Sequence, residues 1–227
     1  IRRYGFHGTS HKYVSAKGAK FAGLDINYSK IITCHLGNGS SIAAVVNGKS
    51  IDTTMGFTPL EGLIMGTRCG NVDPDVVTYL QEKEGLSPSE MSTVLNKKSG
   101  FIGLSGVSSD ARDLNDAAND GNARAKLTLK KLTYDITKFI GAYTAAMNGV
   151  DAIVFTAGIG ENDRGLREAI CADMDALGIV MDNKVNAECP RGEAYDLTAE
   201  GSRARVFVIP TDEEYMIALD TLKIAAQ

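Results

Sequence analysis

The residues with the chemistry to handle an anion lie in a few short stretches. The sequence has three histidines, His7, His11 and His35. His7 and His11 have the His-x-x-x-His spacing of a zinc helix, but no glutamate stands beside them and Gly8 and Thr9 are poor helix formers, so a zinc site is set aside. Arg68 sits among glycines in Met65-Gly66-Thr67-Arg68-Cys69-Gly70. A guanidinium there suits a phosphate or carboxylate, because its planar fork binds two oxygens; a surface arginine is the plainer reading. Leu36-Gly37-Asn38-Gly39 joins two β-rich runs, where glycines let backbone N–H groups approach an anion. Taken alone it is a hairpin turn.

Two further stretches follow apolar runs. Gly158-Ile159-Gly160-Glu161-Asn162 reads as a loop opening a helix, whose free N–H groups suit phosphate or nucleotide. It is neither a GxxxxGK[ST] loop nor a full GxGxxG, since Asp163 stands at the third glycine, and packing also uses glycine at such places. Asn162 reads equally as an N-cap. Thr211-Asp212-Glu213-Glu214 has capping-box spacing, which assigns Glu214 to the Thr211 N–H and leaves the Glu213 carboxylate for Mg²⁺, held through water. The plainer reading of Glu213 is a solvated first-turn acid. Asp110-Ala111-Arg112 opens a helix, with Asp110 as a simple N-cap.

These stretches need elements to position them. Periodicity predicts strands over 30–35, 40–46 and 49–54, an antiparallel meander whose second turn is Asn47-Gly48, a strong hairpin signal. Helices are predicted over 12–20, 74–83, 87–97, 110–118 and 122–147, the last stopped by Asn148-Gly149. A wholly apolar run over 152–156 reads as a strand buried on both faces. A helix over 163–177, a strand over 205–209 and a helix over 211–224 complete the chain, and 188–193 reads as an exposed loop. Strand–loop–helix units after a meander predict a mixed α/β sheet with flanking helices.

Composition bounds the possibilities. The chain has 227 residues, 44% of them hydrophobic and 23% charged, as in a folded domain with a real core. Its net charge of −4 offers no basic field for nucleic acid, and no apolar run approaches the ~18 residues of a membrane span. Four cysteines without a CxxC pair read as free thiols of a reducing cytoplasm. The opening Ile1-Arg2-Arg3-Tyr4, with no Met, is that expected of a piece of a longer chain.

In order, RRYGFHGTSH, CHLGNGSSIAAVVNGKSIDTTMGFTPLEGLIMGTRCG, SGVSSDARDL, VFTAGIGEN and IPTDEE resemble the acetate kinase family over essentially the whole chain. The resemblance is to that family's C-terminal, nucleotide-binding domain, here residues 1–227. It implies an RNase H-like fold of the actin, Hsp70 and sugar kinase type. It also implies reversible, Mg²⁺- or Mn²⁺-dependent phosphoryl transfer between ATP and acetate, giving ADP and acetyl phosphate in the cytoplasm. By motif, His7 and Arg68 would stabilise the transition state. His35, Gly37, Asn38 and Gly39 would line the phosphates, Asp110 and Arg112 would contact the nucleotide, Gly158, Gly160 and Asn162 would hold the adenosine, and Glu213 would hold the metal. The partners implied are an N-terminal domain, supplying among others a catalytic aspartate, and a second copy in a homodimer. A non-catalytic ATP-binding module and a propionate or butyrate kinase are the alternatives. Two positions depart from the family: Asn71 stands where an aspartate is expected, which would alter how the Arg68 loop is held, and Ala157 replaces a glycine.

Overall fold

The computed structural model of the chain describes residues 1–226. They form two compact units, one of residues 5–37, 41–53 and 136–226, the other of 1–4, 38–40 and 54–135.

The first unit is built on a six-stranded sheet of β1 (Lys30–Leu36), β2 (Ser40–Val46), β3 (Lys49–Thr53), β4 (Ala152–Thr156), β5 (Tyr195–Asp196) and β6 (Arg205–Val208). The order across the sheet is β3-β2-β1-β4-β6-β5. β2 and β3 pair antiparallel through Asn47-Gly48, both with positive φ (52° and 73°), as a tight hairpin turn requires. β1 pairs parallel with β4, and β4 with β6, aligning His35 with Thr156 and Phe155 with Val208. The carboxyl ends of all three parallel strands therefore emerge on one side. Every β4 side chain is buried, as a central parallel strand requires. Val14, Ala19, Ile31, Val45, Ala152, Val154, Phe207 and Ile209 form one core cluster.

The first helix, α1 (Gly8–Phe21), begins four residues before the predicted start, directly after His7, whose backbone is left-handed (φ 56°). Glycine at its first position did not prevent it: the helix buries Ser10, His11, Val14 and Ser15, and that burial outweighs weak local propensity.

The second unit carries α2 (Pro74–Glu84), α3 (Pro88–Lys97), α4 (Gly100–Ser105), α5 (Ala111–Asn119) and the first part of α6 (Ala123–Ala146). Asp73 caps α2, and Ser87 with Glu90 makes a full capping box on α3. The short α4 had no periodic signal. α6 ends where expected: Asn148 has a left-handed backbone, and the Gly149 N–H reaches back to the Thr144 carbonyl.

A helix read as a loop in the sequence, α7 (Ala157–Asn162), starts immediately after β4, and the predicted helix over 163–177 is a shorter one, α8 (Arg164–Cys171), followed by a 3₁₀ turn at Asp175–Leu177. Asp163 breaks the run by capping α8 through the Leu166 N–H. A further helix, α9 (Asn183–Glu188), ends at the first residue of the expected loop over 188–193, which is exposed as expected except at Cys189, which is buried. The last, α10 (Glu213–Ala225), is capped by Asp212 through the Tyr215 N–H, so the predicted Thr211–Glu214 capping box does not form.

Candidate active site

In the sheet unit, all three histidines meet. His7 and His35 stack with ring centroids 4.1 Å apart and planes 15° apart. Their nitrogens are tied to hydroxyls. His7 Nδ1 lies 2.8 Å and His11 Nε2 2.7 Å from Ser41 Oγ, and His11 Nδ1 lies 2.7 Å from Thr33 Oγ1. His35 Nδ1 lies 2.8 Å from Ser10 Oγ, to which Thr211 Oγ1 donates across 2.8 Å. Burial, then the neighbouring histidines His35 and His7, pushes His11 down to about 3; burial, then His7, does the same to His35. Both are neutral imidazoles at pH 7. The left-handed backbone of His7, unusual for a residue with a Cβ, is the price of aiming its ring at His35 from just outside α1.

Because β1, β4 and β6 run parallel, the next candidates gather beyond their carboxyl ends, where such sheets bind ligands. Gly37 follows β1 directly. Gly158, Gly160 and Asn162 lie inside α7 rather than in a loop, a correction to the sequence reading. The helix mouth is not left for an anion either: the Glu161 carboxylate accepts the Ala157 N–H at 2.8 Å. Gly160 is buried against β1, where a Cβ would make only an ordinary contact, 3.5 Å from the Cys34 carbonyl oxygen. Gly158 and Asn162 are exposed, joined by a bond from Asn162 Nδ2 to the Gly158 carbonyl of 2.9 Å. Glu213 opens α10, half-buried and without a hydrogen bond or ion pair among the described residues. The capping argument that singled it out fails, since Asp212 does the capping. Its half-burial, against an exposed Glu214, distinguishes it instead. One unpaired carboxylate fits Mg²⁺ or Mn²⁺, which bind through one or two carboxylates, waters and substrate phosphates.

The sequence reading missed Arg167, although it is fully buried. It donates to the Gly160 and Glu161 carbonyls, each at 2.8 Å, to Asn186 Oδ1 at 2.8 Å, and lies 3.5 Å from Cys189 Sγ. Burial lowers its pKa. It makes no ion pair with a carboxylate among the described residues, so α7 carbonyls serve as its acceptors. Nothing in the sequence separates it from Arg164.

In the helical unit, Arg68 lies on a loop without regular structure, half-buried, its Nη1 donating to the Pro59 carbonyl at 3.2 Å. It makes no ion pair among the described residues, so its charge is uncompensated. Close backbone approaches hold the loop. A Cβ on Gly66 would sit 2.2 Å from Asn38 Oδ1, and one on Gly100 (φ +65°) would sit 2.1 Å from the Met65 carbonyl oxygen. The Gly62 N–H donates to Asn71 Oδ1 at 2.9 Å, and the Asn71 N–H returns to the Gly62 carbonyl at 2.9 Å. The amide oxygen of Asn71 thus makes a bond that a carboxylate oxygen could also make. Asn38 is exposed and Gly39 half-buried in the turn after β1. Asp110 caps α5 and also takes the Arg112 guanidinium (Nη2–Oδ2 2.6 Å), which holds its carboxyl down at about 2.

A sheet with a parallel centre, flanking helices and a polar cluster beyond its strand ends is an α/β domain, and its superposition on acetate kinase structures assigns it to the RNase H-like type shared by actin, Hsp70 and sugar kinases. The chain belongs to the Acetokinase family, whose sequence model matches residues 1–219. It is 57% identical over its whole length to acetate kinase 2 of Clostridium perfringens and 59% identical over 99% of it to an acetate kinase of Caldanaerobacter subterraneus. It covers 56% of each, so the chain spans about half the length of the curated relatives it matches. The crystal structure of Porphyromonas gingivalis acetate kinase superposes with a TM-score of 0.96 at 55% identity, over 99% of this chain and 56% of that one. A propionate kinase from Francisella tularensis gives 0.88 at 43% identity, over 96% of this chain and 55% of that one.

Proposed function

We propose that residues 1–227 are the nucleotide-binding, C-terminal domain of a two-domain acetate kinase. The whole enzyme would transfer a phosphoryl group reversibly between ATP and acetate, giving acetyl phosphate and ADP. The observation that carries this reading is the stacked His7–His35 pair at the carboxyl end of a parallel strand, in a chain of the Acetokinase family.

Phosphoryl transfer asks little covalent chemistry of a protein; it asks for positioning and for donors aimed at the equatorial oxygens. His7 and Arg68 take that role here. Arg68 is suited to it because neutral acceptors hold its guanidinium and leave its charge for an anion. His35, Gly37, Asn38 and Gly39 line the phosphates. Asp110 and Arg112 contact the nucleotide, Arg112 from a side chain 88% exposed. Gly158 and Asn162 hold the adenosine from the exposed edge of α7, with Gly160 packing beneath them. Mg²⁺ or Mn²⁺, when bound, neutralises phosphate charge, and Glu213 is the residue that would hold it. The partners are the N-terminal domain, with its catalytic aspartate, and a second copy in a homodimer, in the cytoplasm.

The test is Arg68→Ala in the complete two-domain enzyme. Removing a transition-state cation raises the barrier by about 3–5 kcal/mol, a fall of roughly 10² to 10⁴ in acetyl phosphate formation. Undiminished turnover would remove Arg68 from the site. Wild-type enzyme that binds ATP but never forms acetyl phosphate would make the domain a nucleotide-binding module. The likeness to a propionate kinase favours propionate as a second acceptor, which relative kcat/KM for acetate, propionate and butyrate decides.

A further inference from the structure

We infer that Ser10 and Thr211 form a positioning relay that holds His35 with its proton on Nε2, and that Glu161 fixes the far end of this relay. The inference rests on the reading above only in taking His35 to face phosphate.

A neutral imidazole carries one proton, and the partner of one nitrogen decides which nitrogen keeps it. Burial keeps His35 neutral, so this choice matters. Thr211 Oγ1 donates to Ser10 Oγ, which leaves the Ser10 proton for His35 Nδ1. Nδ1 is then an acceptor, and Nε2–H becomes a fixed donor. The opposite tautomer would present a lone pair at Nε2 and repel a phosphate oxygen.

Ser10 is fully buried, so water does not compete for its hydroxyl. Thr211 is held from behind. The Glu161 carboxylate accepts the Thr211 N–H at 3.4 Å and the Ala157 N–H at 2.8 Å through the same oxygen. A carboxylate can only accept, so this anchor ties the turn before α10 to the start of α7. The relay thus joins α1, β1, α7 and the approach to α10, four pieces distant in sequence, to one ring nitrogen.

The experiment uses the full-length protein labelled with ¹⁵N-histidine, with the His35 signals assigned through His35→Gln. In the wild type, the nitrogen shifts should mark a protonated Nε2 and a bare Nδ1. Thr211→Val keeps the shape but removes the donor; it should convert His35 to a tautomer mixture, and Thr211→Ser should restore the single form. Ser10→Ala should give the same mixture by a second route. In parallel, kcat of Thr211→Val should fall about 10- to 100-fold with KM for acetate unchanged, as when a partner that orients an imidazole is lost. A wild-type His35 protonated on Nδ1, or variants that stay wholly Nε2–H, would overturn the relay. A tautomer mixture with full turnover would leave the relay standing and instead overturn the role of His35 in catalysis.

Discussion

Gly100 and Gly85 have the same backbone angle, φ +65°, in very different surroundings. At Gly85, which caps α2, a Cβ would meet nothing within 4 Å. At Gly100 it would meet the Met65 carbonyl oxygen at 2.1 Å and the Arg68 nitrogen and oxygen at 2.8 Å each. Those are backbone atoms of the Arg68 loop, and they cannot swing aside. Alanine at either position bears the left-handed cost of about 1–2 kcal/mol. Gly100→Ala adds overpacking of roughly 1–3 kcal/mol, because α4 must part from the loop it grips through the Phe101 N–H to Met65 carbonyl bond of 2.8 Å. The unfolded-state effect of replacing glycine by alanine is common to both variants and cancels in the comparison. The difference between them should therefore be about 2 kcal/mol. With a urea m-value of about 2 kcal/mol/M, that is a midpoint lower by about 1 M for Gly100→Ala than for Gly85→Ala. Equal midpoints would refute the steric argument, and with it the claim that close packing against α4 holds the Arg68 loop.

Two further outcomes are expected. His11 and His35 titrate near 3 when folded, against an ordinary 6.5. The unfolded chain therefore takes up protons that the folded chain refuses: the stability is present above pH 6.5 and is lost as pH falls toward 3, at about 1.4 kcal/mol per pH unit for each histidine. Urea midpoints between pH 7 and 5 should show this slope, and His11→Gln should roughly halve it; an unchanged slope would mean that His11 is not held neutral. Ala157 has a left-handed backbone, φ 64°. Ala157→Gly should relieve about 1–2 kcal/mol of strain against about 0.5–1 kcal/mol of added chain entropy, raising Tm by a degree or more, and a lower Tm would show that no strain is stored there.

Most of the fold was legible because its signals are local. Asn47-Gly48, the capped starts at Asp73-Pro74 and Ser87-Pro88, and the uniformly apolar 152–156 each declare an element within a few residues. The failures came where distant contacts decide. Gly8 and Thr9 look unfit for a helix until the burial of His11 and Val14 is counted. Residues 157–162 look like a loop until Arg167 is seen holding their carbonyls and Glu161 their first N–H. Thr211 has the spacing of a capping residue, but its hydroxyl is engaged by Ser10, 201 positions away. Candidate residues such as His7 and Arg68 were found through their motifs; the hydroxyls of Ser10, Thr33 and Ser41, which set the ring nitrogens, carry no such signature. The two departures read differently in three dimensions: Asn71 is bonded to Gly62 through an oxygen that an aspartate would also carry, whereas Ala157 has a left-handed backbone that glycine adopts more readily.

The strand order also governs how the chain assembles during synthesis. β1 is complete more than a hundred residues before its parallel neighbour β4, with Ile31 opposite Ala152, and β6 follows later still. Until then the nascent chain carries an apolar hairpin with an open edge that no local partner can close. Such a topology has high contact order and folds slowly, and its early intermediates are the ones a chaperone would have to shield. A ribosome stalled anywhere in α6 would therefore hold a β1–β3 segment ready to pair with the wrong chain.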